Sequence, residues 1–299
     1  MRTFFLLIGI ILLLSMIPFT GSSANTLPPT PTVQPAVSNA PATGQNRIFL
    51  ASVLSGATPV TLKKGVSLTY GDCDSAIAVR ASWEQGWSPN PANCAGVENV
   101  PMIWGSADIN VTVGGNSPYI MGFNEPDSPS QSNLTASQAA SLWRQIEQKY
   151  PARKLVAPAP SGANPDWIVD FRNAYISLYA IPPRLDALDV HCYAWYAEQC
   201  VTHAQKFITW ANSWNVSEVW VSEFSFSPTS PSSPGGSLAE AQTFINWAMG
   251  TSKIARYSWF ASKMSGTEWW FNSLFNTPLV QWNTASQLTS FGTMYLPFK

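Results

Sequence analysis

Charge is what this chain has least of. Only 11% of its 299 residues are charged, under half of the usual share of about 25%. The 16 basic residues are offset by 17 acidic ones, for a net charge of −1. Nucleic-acid binding needs a basic face to displace counterions from phosphate, so it has no electrostatic basis here. Histidine is almost missing, with His191 and His203 the only two. No C-x-x-C pair and no Gly-x-Ser-x-Gly turn occurs. A zinc site and a Ser-His-Asp hydrolase are therefore poorly supplied. No glycine-rich phosphate loop is present either, and no cofactor or metal is expected.

The sequence has a single long apolar run, and it stands at the very start. Arg2 precedes Phe4 to Phe19, which lead into Gly21-Ser22-Ser23-Ala24. That order of charge, apolar core and small residues is that of a secretory signal. The run is short of the roughly 20 residues of a membrane span, although an uncleaved anchor is the alternative reading of residues 1–24. Residues 25–62 open on a Pro-, Thr- and Ser-rich stretch without apolar period and are read as a linker or stalk. The chain is thus expected outside the cell, secreted or at its surface. Export suits the four cysteines, Cys73, Cys94, Cys192 and Cys200. Local pairing, Cys73 with Cys94 and Cys192 with Cys200, is the simplest of three connectivities; four buried thiols are the alternative. Asn110, Asn133 and Asn215 open glycosylation triplets, which matter only in a eukaryotic host.

From residue 63 onward, short apolar runs alternate with helical patterns. The runs begin at Gly65, Ile77, Val100, Tyr119, Lys154, Ala187, Glu218 and Ile254. Their nearly continuous apolar character suits parallel strands covered on both faces. Thr135-Ala-Ser-Gln138 reads as a capping box before a helix. Residues 166–179, 201–214 and 238–249 repeat the helical spacing. Gly114-Gly115 and Gly235-Gly236 read as turns. Eight βα units over residues 63–299 predict a (β/α)8 TIM-type barrel, whose usual size is about 250 residues. The first half is short of helices, and residues 84–99 read as loop.

In such a barrel the chemistry sits at the C-terminal ends of the strands. Glu125 follows the fourth run, in Gly-Phe-Asn124-Glu125-Pro-Asp127, and Glu223 ends the seventh, in Trp220-Val-Ser-Glu223-Phe. A carboxylate behind a buried strand is costly unless it is paired or used. Each alone could be a buried salt bridge. Two at matching strand ends, one preceded by Asn124, fit glycoside hydrolysis, which needs one carboxyl protonated and the other ionised. Asp127 is expected to cap the loop or to support the site from behind rather than to take part in catalysis. The chain's 14 tryptophans suit a sugar ligand, whose C–H faces stack on aromatic rings. Trp104 and Trp259 at strand ends are the stacking candidates, with Trp83, Trp87, Trp195 and Trp269 on loops; core packing is the alternative for each. His203 falls in a helical pattern and is expected on the surface.

The ordered set of motifs resembles glycoside hydrolase family 128, the Asl1-like β-1,3-glucanases. It comprises Lys64-Gly65, Val100-Pro-Met-Ile-Trp104-Gly, the Asn124-Glu125-Pro-Asp127 turn, Asp189-Val-His191-Cys-Tyr193, Ser222-Glu223-Phe and Arg256-Tyr-Ser-Trp259-Phe. The resemblance spans about residues 63–299 and implies a retaining mechanism on β-1,3-glucan, with endo action the expected mode. It implies Glu125 as acid/base, Glu223 as nucleophile, and Asn124 as the partner of a sugar 2-hydroxyl. His191 and Tyr193 would lie beside the nucleophile; a satisfied strand-end histidine is the alternative for His191. The family often has His-Trp-Tyr-Gly where this chain has His191-Cys192-Tyr193-Ala194, and Thr-Glu-Phe where it has Ser222-Glu223-Phe224. The first strand often carries a Trp where Leu68-Thr69-Tyr70 stands. These departures touch sugar subsites rather than the dyad. Two other readings stay open, a glucan-binding protein with little turnover and a barrel glycosidase for another β-glycan. A monomer is the default for an enzyme that engages a polymer.

Overall fold

The structure is a computed structural model that describes residues 63–69, 71–226, 234–263 and 288–298. The N-terminal segment, the linker and Trp269 lie outside these residues. Eight strands follow in chain order: β1 (Lys64–Ser67), β2 (Trp83–Gln85), β3 (Glu98–Val100), β4 (Tyr119–Met121), β5 (Lys154–Val156), β6 (Ala187–Ala194), β7 (Glu218–Phe226) and β8 (Ile254–Trp259). The helices are α1 (Cys73–Ala78), α2 (Ala136–Lys149), α3 (Trp167–Tyr179), α4 (Ala197–Ser213), α5 (Pro234–Gly250) and α6 (Ser290–Tyr295). The strands pair in parallel in the order β3-β2-β1-β8-β7-β6-β5-β4. The two edges meet where Met102, just past β3, bridges Met121 of β4. This is the expected (β/α)8 barrel, nearly closed. Among the described residues no helix is long and apolar enough to cross a membrane.

Strand alternation sorts the core into two layers. Trp83, Val100, Tyr119, Met121, Val156, Ala187 and Trp220 fill the lumen. Val66, Ile120, Leu155, Leu188, Val219 and Val221 face outward onto the helix layer, with Trp143, Phe171, Phe207 and Phe244. Gly65 makes room for the lumen: a Cβ there would come within 2.3 Å of the Trp83 ring. The floor of the barrel is polar. Arg256 donates from Nη2 to both carboxylate oxygens of Glu98, at 2.9 and 3.1 Å. Its guanidinium lies 4.3 Å from the Trp220 ring and 4.9 Å from that of Tyr119.

The second half follows the sequence pattern. Thr135 caps α2 as expected: its Oγ1 accepts from the Gln138 N–H at 3.2 Å, and Gln138 Oε1 accepts from the Thr135 N–H at 2.9 Å. Helix α4 starts four residues before the expected Val201, because Gln199 Oε1 caps Tyr196 from within the first turn. Gly235-Gly236 lies inside α5 rather than in a turn; Pro234 opens that helix, where its missing N–H costs nothing.

The first half departs from the pattern. The run Ile77–Ser82 is not the second strand. Asp72 accepts from the Asp74 N–H and the Ser75 hydroxyl, starting α1 over Cys73–Ala78. Ala76 and Val79 then face the core at helical spacing. Strand β2 begins only at Trp83 and runs into the stretch 84–99 read as loop, as does the start of β3 at Glu98. Strand β3 stops at Val100 because Pro101 has no N–H for the ladder. Both expected disulfides are present, Cys73–Cys94 and Cys192–Cys200.

Candidate active site

The two glutamates reach the barrel mouth by different local devices. Glu125 follows β4 in a backbone with φ of +39°, a region that disfavours side chains. The turn is tied down on both sides: Glu125 N–H donates to Ala159 O at 2.8 Å, and Ser128 N–H to Glu125 O at 3.0 Å. Asp127 ties the same loop to the one that follows β5, accepting from Ser161 N–H at 2.7 Å and its hydroxyl at 2.5 Å. Asp127→Ala is expected to cost about 1.5 kcal/mol, the low end for hydrogen bonds to a charged group. Denaturant unfolding checks this, and Ser161→Ala, which keeps the backbone donor, should cost less.

Glu223 depends on a bulge. Along β7, Val219 and Val221 face outward and Trp220 inward. Strict alternation would send Glu223 outward with the valines. The pairing instead skips Ser222: Val190 faces Val221 and His191 faces Glu223. The extra residue reverses the phase. Glu223 turns inward, while Phe224 and Phe226 turn outward.

The site then assembles around His191. Its Nδ1 lies 3.0 Å from Glu125 Oε1 and 3.5 Å from Glu223 Oε2. One donor atom of each of the three residues falls within 4.8 Å of the others, close enough to share a cation or a proton. Glu223 is held by two donors besides: Trp87 Nε1 to Oε1 at 2.6 Å, and the Tyr193 hydroxyl to Oε2. Burial drives the Glu223 carboxyl upward, His191 opposes this, Glu125 adds to it, and the Tyr193 and Trp87 hydrogen bonds pull it back; the net direction is up. For His191, burial disfavours the charge, but Glu223 first and then Glu125 and Asp189 outweigh it and lift it to about 9. Burial and the two glutamates raise the Tyr193 hydroxyl well above 10, so it stays a donor. Beneath lies Asp189, pushed up to about 7 by burial and accepting from the Val190 N–H at 2.9 Å.

The other expected site residues divide. Asn124 is buried at the same mouth; its Nδ2 donates to Gln131 at 3.2 Å, and its Oδ1 meets no donor among the described residues. Trp104 is half-buried against the lumen cluster. Trp195 is 48% exposed just past β6, beside Tyr196 at 51%. Trp83 is on a strand, not a loop, and is 1% exposed in the lumen, 5.3 Å from the Trp220 ring. Trp259 is fully buried on the outer face against Phe224 and Phe291. Neither ring can stack on a ligand in the cleft. Trp87 and Gln131 also belong to the site by geometry; the sequence offers Trp87 only as a stacking ring, and nothing in it marks Gln131. His203 is half-buried on α4 against Phe207 rather than on the surface, and burial lowers it to about 4.

The family described as glycosyl hydrolase catalytic core matches residues 68–295. The chain belongs to this family. Solved structures share the fold of this hydrolase core. A subgroup I family 128 endo-β-1,3-glucanase from Amycolatopsis mediterranei, in complex with laminaritriose, is 24% identical with a TM-score of 0.63, over 79% of this chain and 99% of that one. A subgroup II endo-β-1,3-glucanase from Pseudomonas viridiflava is 25% identical with a TM-score of 0.60, over 80% and 98%. A subgroup III curdlan-specific exo-β-1,3-glucanase from Blastomyces gilchristii, in complex with glucose, is 23% identical with a TM-score of 0.61, over 80% and 99%. No curated protein matches the hydrolase core by sequence.

Proposed function

We propose that this glycosyl hydrolase core is an exported family 128 enzyme that cleaves β-1,3-glucan with retention. One observation carries the reading: a buried Glu223 and a half-buried Glu125 at the ends of β7 and β4, with oxygens within 4.8 Å of one another and both against His191. Carboxyl groups about 5–5.5 Å apart suit direct attack on the anomeric carbon, while water-mediated inversion needs about 6.5–9.5 Å. Glu125, the more open of the pair at 16% side-chain exposure against 5%, protonates the leaving oxygen. Glu223 attacks, with its lone pairs aimed by Trp87 and Tyr193. Glu125 then takes the proton of the water that releases the sugar. The free Oδ1 of Asn124 fits a sugar hydroxyl next to the bond being cut.

The substrate rests on the motif resemblance and on the neighbours, which include both endo- and exo-acting β-1,3-glucanases. Reducing-sugar release by the full chain from linear β-1,3-glucan tests the reading, and product lengths distinguish endo from exo action. A panel of other β-glycans tests the linkage. A protein that holds glucan without cutting it is the second reading. The exposed Trp195-Tyr196 pair favours it, because the Cys192–Cys200 disulfide closes the loop that presents both rings. On the enzyme reading the same rings form a distal subsite. Trp195→Ala is then expected to raise KM for long laminari-oligosaccharides about 3- to 10-fold, as one aromatic contact of about 0.5–1.5 kcal/mol allows. The shortest cleaved oligosaccharide should be unaffected.

A further inference from the structure

We propose that Trp87 is a positioning residue for Glu223, set by Phe260; this rests on Glu223 being the nucleophile. Trp87 adopts φ of +51° two residues beyond β2, a conformation that bulky side chains rarely take. The turn is built to allow it. Gln85, the last residue of β2, accepts from the Trp87 N–H at 3.2 Å through its side-chain oxygen, and its Nε2 donates to Ser67 at 2.9 Å. The result aims an indole N–H into the barrel mouth, where it meets Glu223 Oε1 at 2.6 Å. A ring needed only to stack on sugar would not require this N–H.

Glu223 is 4% exposed, so water solvates it little. Its Oε2 has the Tyr193 hydroxyl and the nearby His191. For Oε1, Trp87 is the one donor among the described residues. A hydrogen bond to the ionised form of a buried carboxyl favours that form, and here it also fixes the carboxylate plane. Phe260 ties the two donors together. Its ring stands edge-on to Trp87 at 5.5 Å and to Tyr193 at 5.4 Å. Its N–H donates to Phe224 O at 3.0 Å, on the strand that carries Glu223. One aromatic side chain therefore buttresses both side-chain donors against the carboxylate they hold.

Trp87→Phe tests this, because it keeps a ring and removes the N–H. On laminarihexaose kcat should fall about 10- to 100-fold, as for loss of one charge-assisted hydrogen bond, with KM within about threefold of wild type. The acidic limb of the kcat/KM profile should move to higher pH, because a carboxylate that loses a donor becomes harder to ionise. A raised KM with kcat and profile unchanged would make Trp87 a stacking platform and overturn the proposal. Should that variant not fold, Phe260→Leu carries the test. It keeps both donors and loosens their seating, so the acidic limb should move in the same direction; an unmoved limb overturns the proposal. Wild-type release from the same substrate is measured first. No release would remove the enzyme reading and the proposal with it, whereas normal wild-type turnover with an unmoved variant removes the proposal alone.

Discussion

Glu223→Gln is expected to lower kcat on linear β-1,3-glucan by about 10³-fold or more while leaving glucan affinity within a few-fold of wild type. The amide keeps the shape of the side chain and still offers an oxygen to the Trp87 indole. It lacks the charge and the nucleophilicity needed to form a glycosyl-enzyme. Glu125→Gln is expected to lose roughly 10²- to 10⁴-fold, the usual range for a general acid and base. Its loss should shrink on aryl glycosides, whose leaving groups need no proton for the first step, whereas that of Glu223→Gln should not. Sugar release and glucan binding, measured in parallel on both variants, check this. Activity retained in both would discard the two-glutamate assignment. Binding without turnover in wild type would move the protein to the recognition-module reading. The pair and His191 are close enough to exchange protons, so limbs of the pH profile will report the cluster rather than single residues.

Replacing Glu84 is expected to make the protein more stable. Glu84 lies in β2 between Trp83 and Gln85, both of which face the lumen, so its own side chain points out toward the helix layer. It is fully buried, and neither carboxylate oxygen meets a donor among the described residues. Burial pushes its carboxyl from 4.5 up to about 7. Below pH 4.5 the group is protonated whether the chain is folded or not, and costs nothing through ionisation. As pH rises from there to about 7, the unfolded chain releases its proton and the folded chain does not, so stability falls; above 7 the full penalty stands. At about 1.4 kcal/mol per pKa unit the penalty is about 3 kcal/mol. Glu84→Met, a flexible side chain of similar volume, should remove it. Denaturant unfolding at pH 7.5 should show a gain of about 3 kcal/mol, shrinking toward pH 4.5. Glu84→Gln is the control: it should flatten the pH dependence without the full gain, since a buried amide still lacks partners. A gain that does not change with pH would mean that ionisation of Glu84 is not the cause.

Much of the barrel was legible because its later strands are apolar enough to be buried on both faces and its later helices carry clean 3.6-residue spacing. The capping box at Thr135 was readable for the same reason, since it is a contact between near neighbours in sequence; Asp127 instead reaches Ser161, 34 positions on. The first half was not. Ile77–Ser82 is a short apolar run, and such runs fit a strand or a buried helical turn equally well. An Asp72 cap and a disulfide at Cys73 decided for the helix. The tryptophans mark the same boundary. Trp83, Trp195 and Trp259 look alike as sequence, yet one fills the lumen, one stands exposed at the rim and one packs under α6. Which way a strand residue points depends on the phase of the whole strand, and a single bulge reverses it.

The sequence by itself determined the class of barrel, the two glutamates and their places behind the fourth and seventh strands, because local periodicity and motif spacing encode these directly. Only the tertiary structure decided that Ser222 bulges and swings Glu223 inward, that His191 stands between the carboxylates, and that Trp87 supplies an N–H rather than a surface. Those are contacts across 30 to 136 positions of chain, fixed by how eight strands tilt and pair around one lumen. No local pattern carries that information.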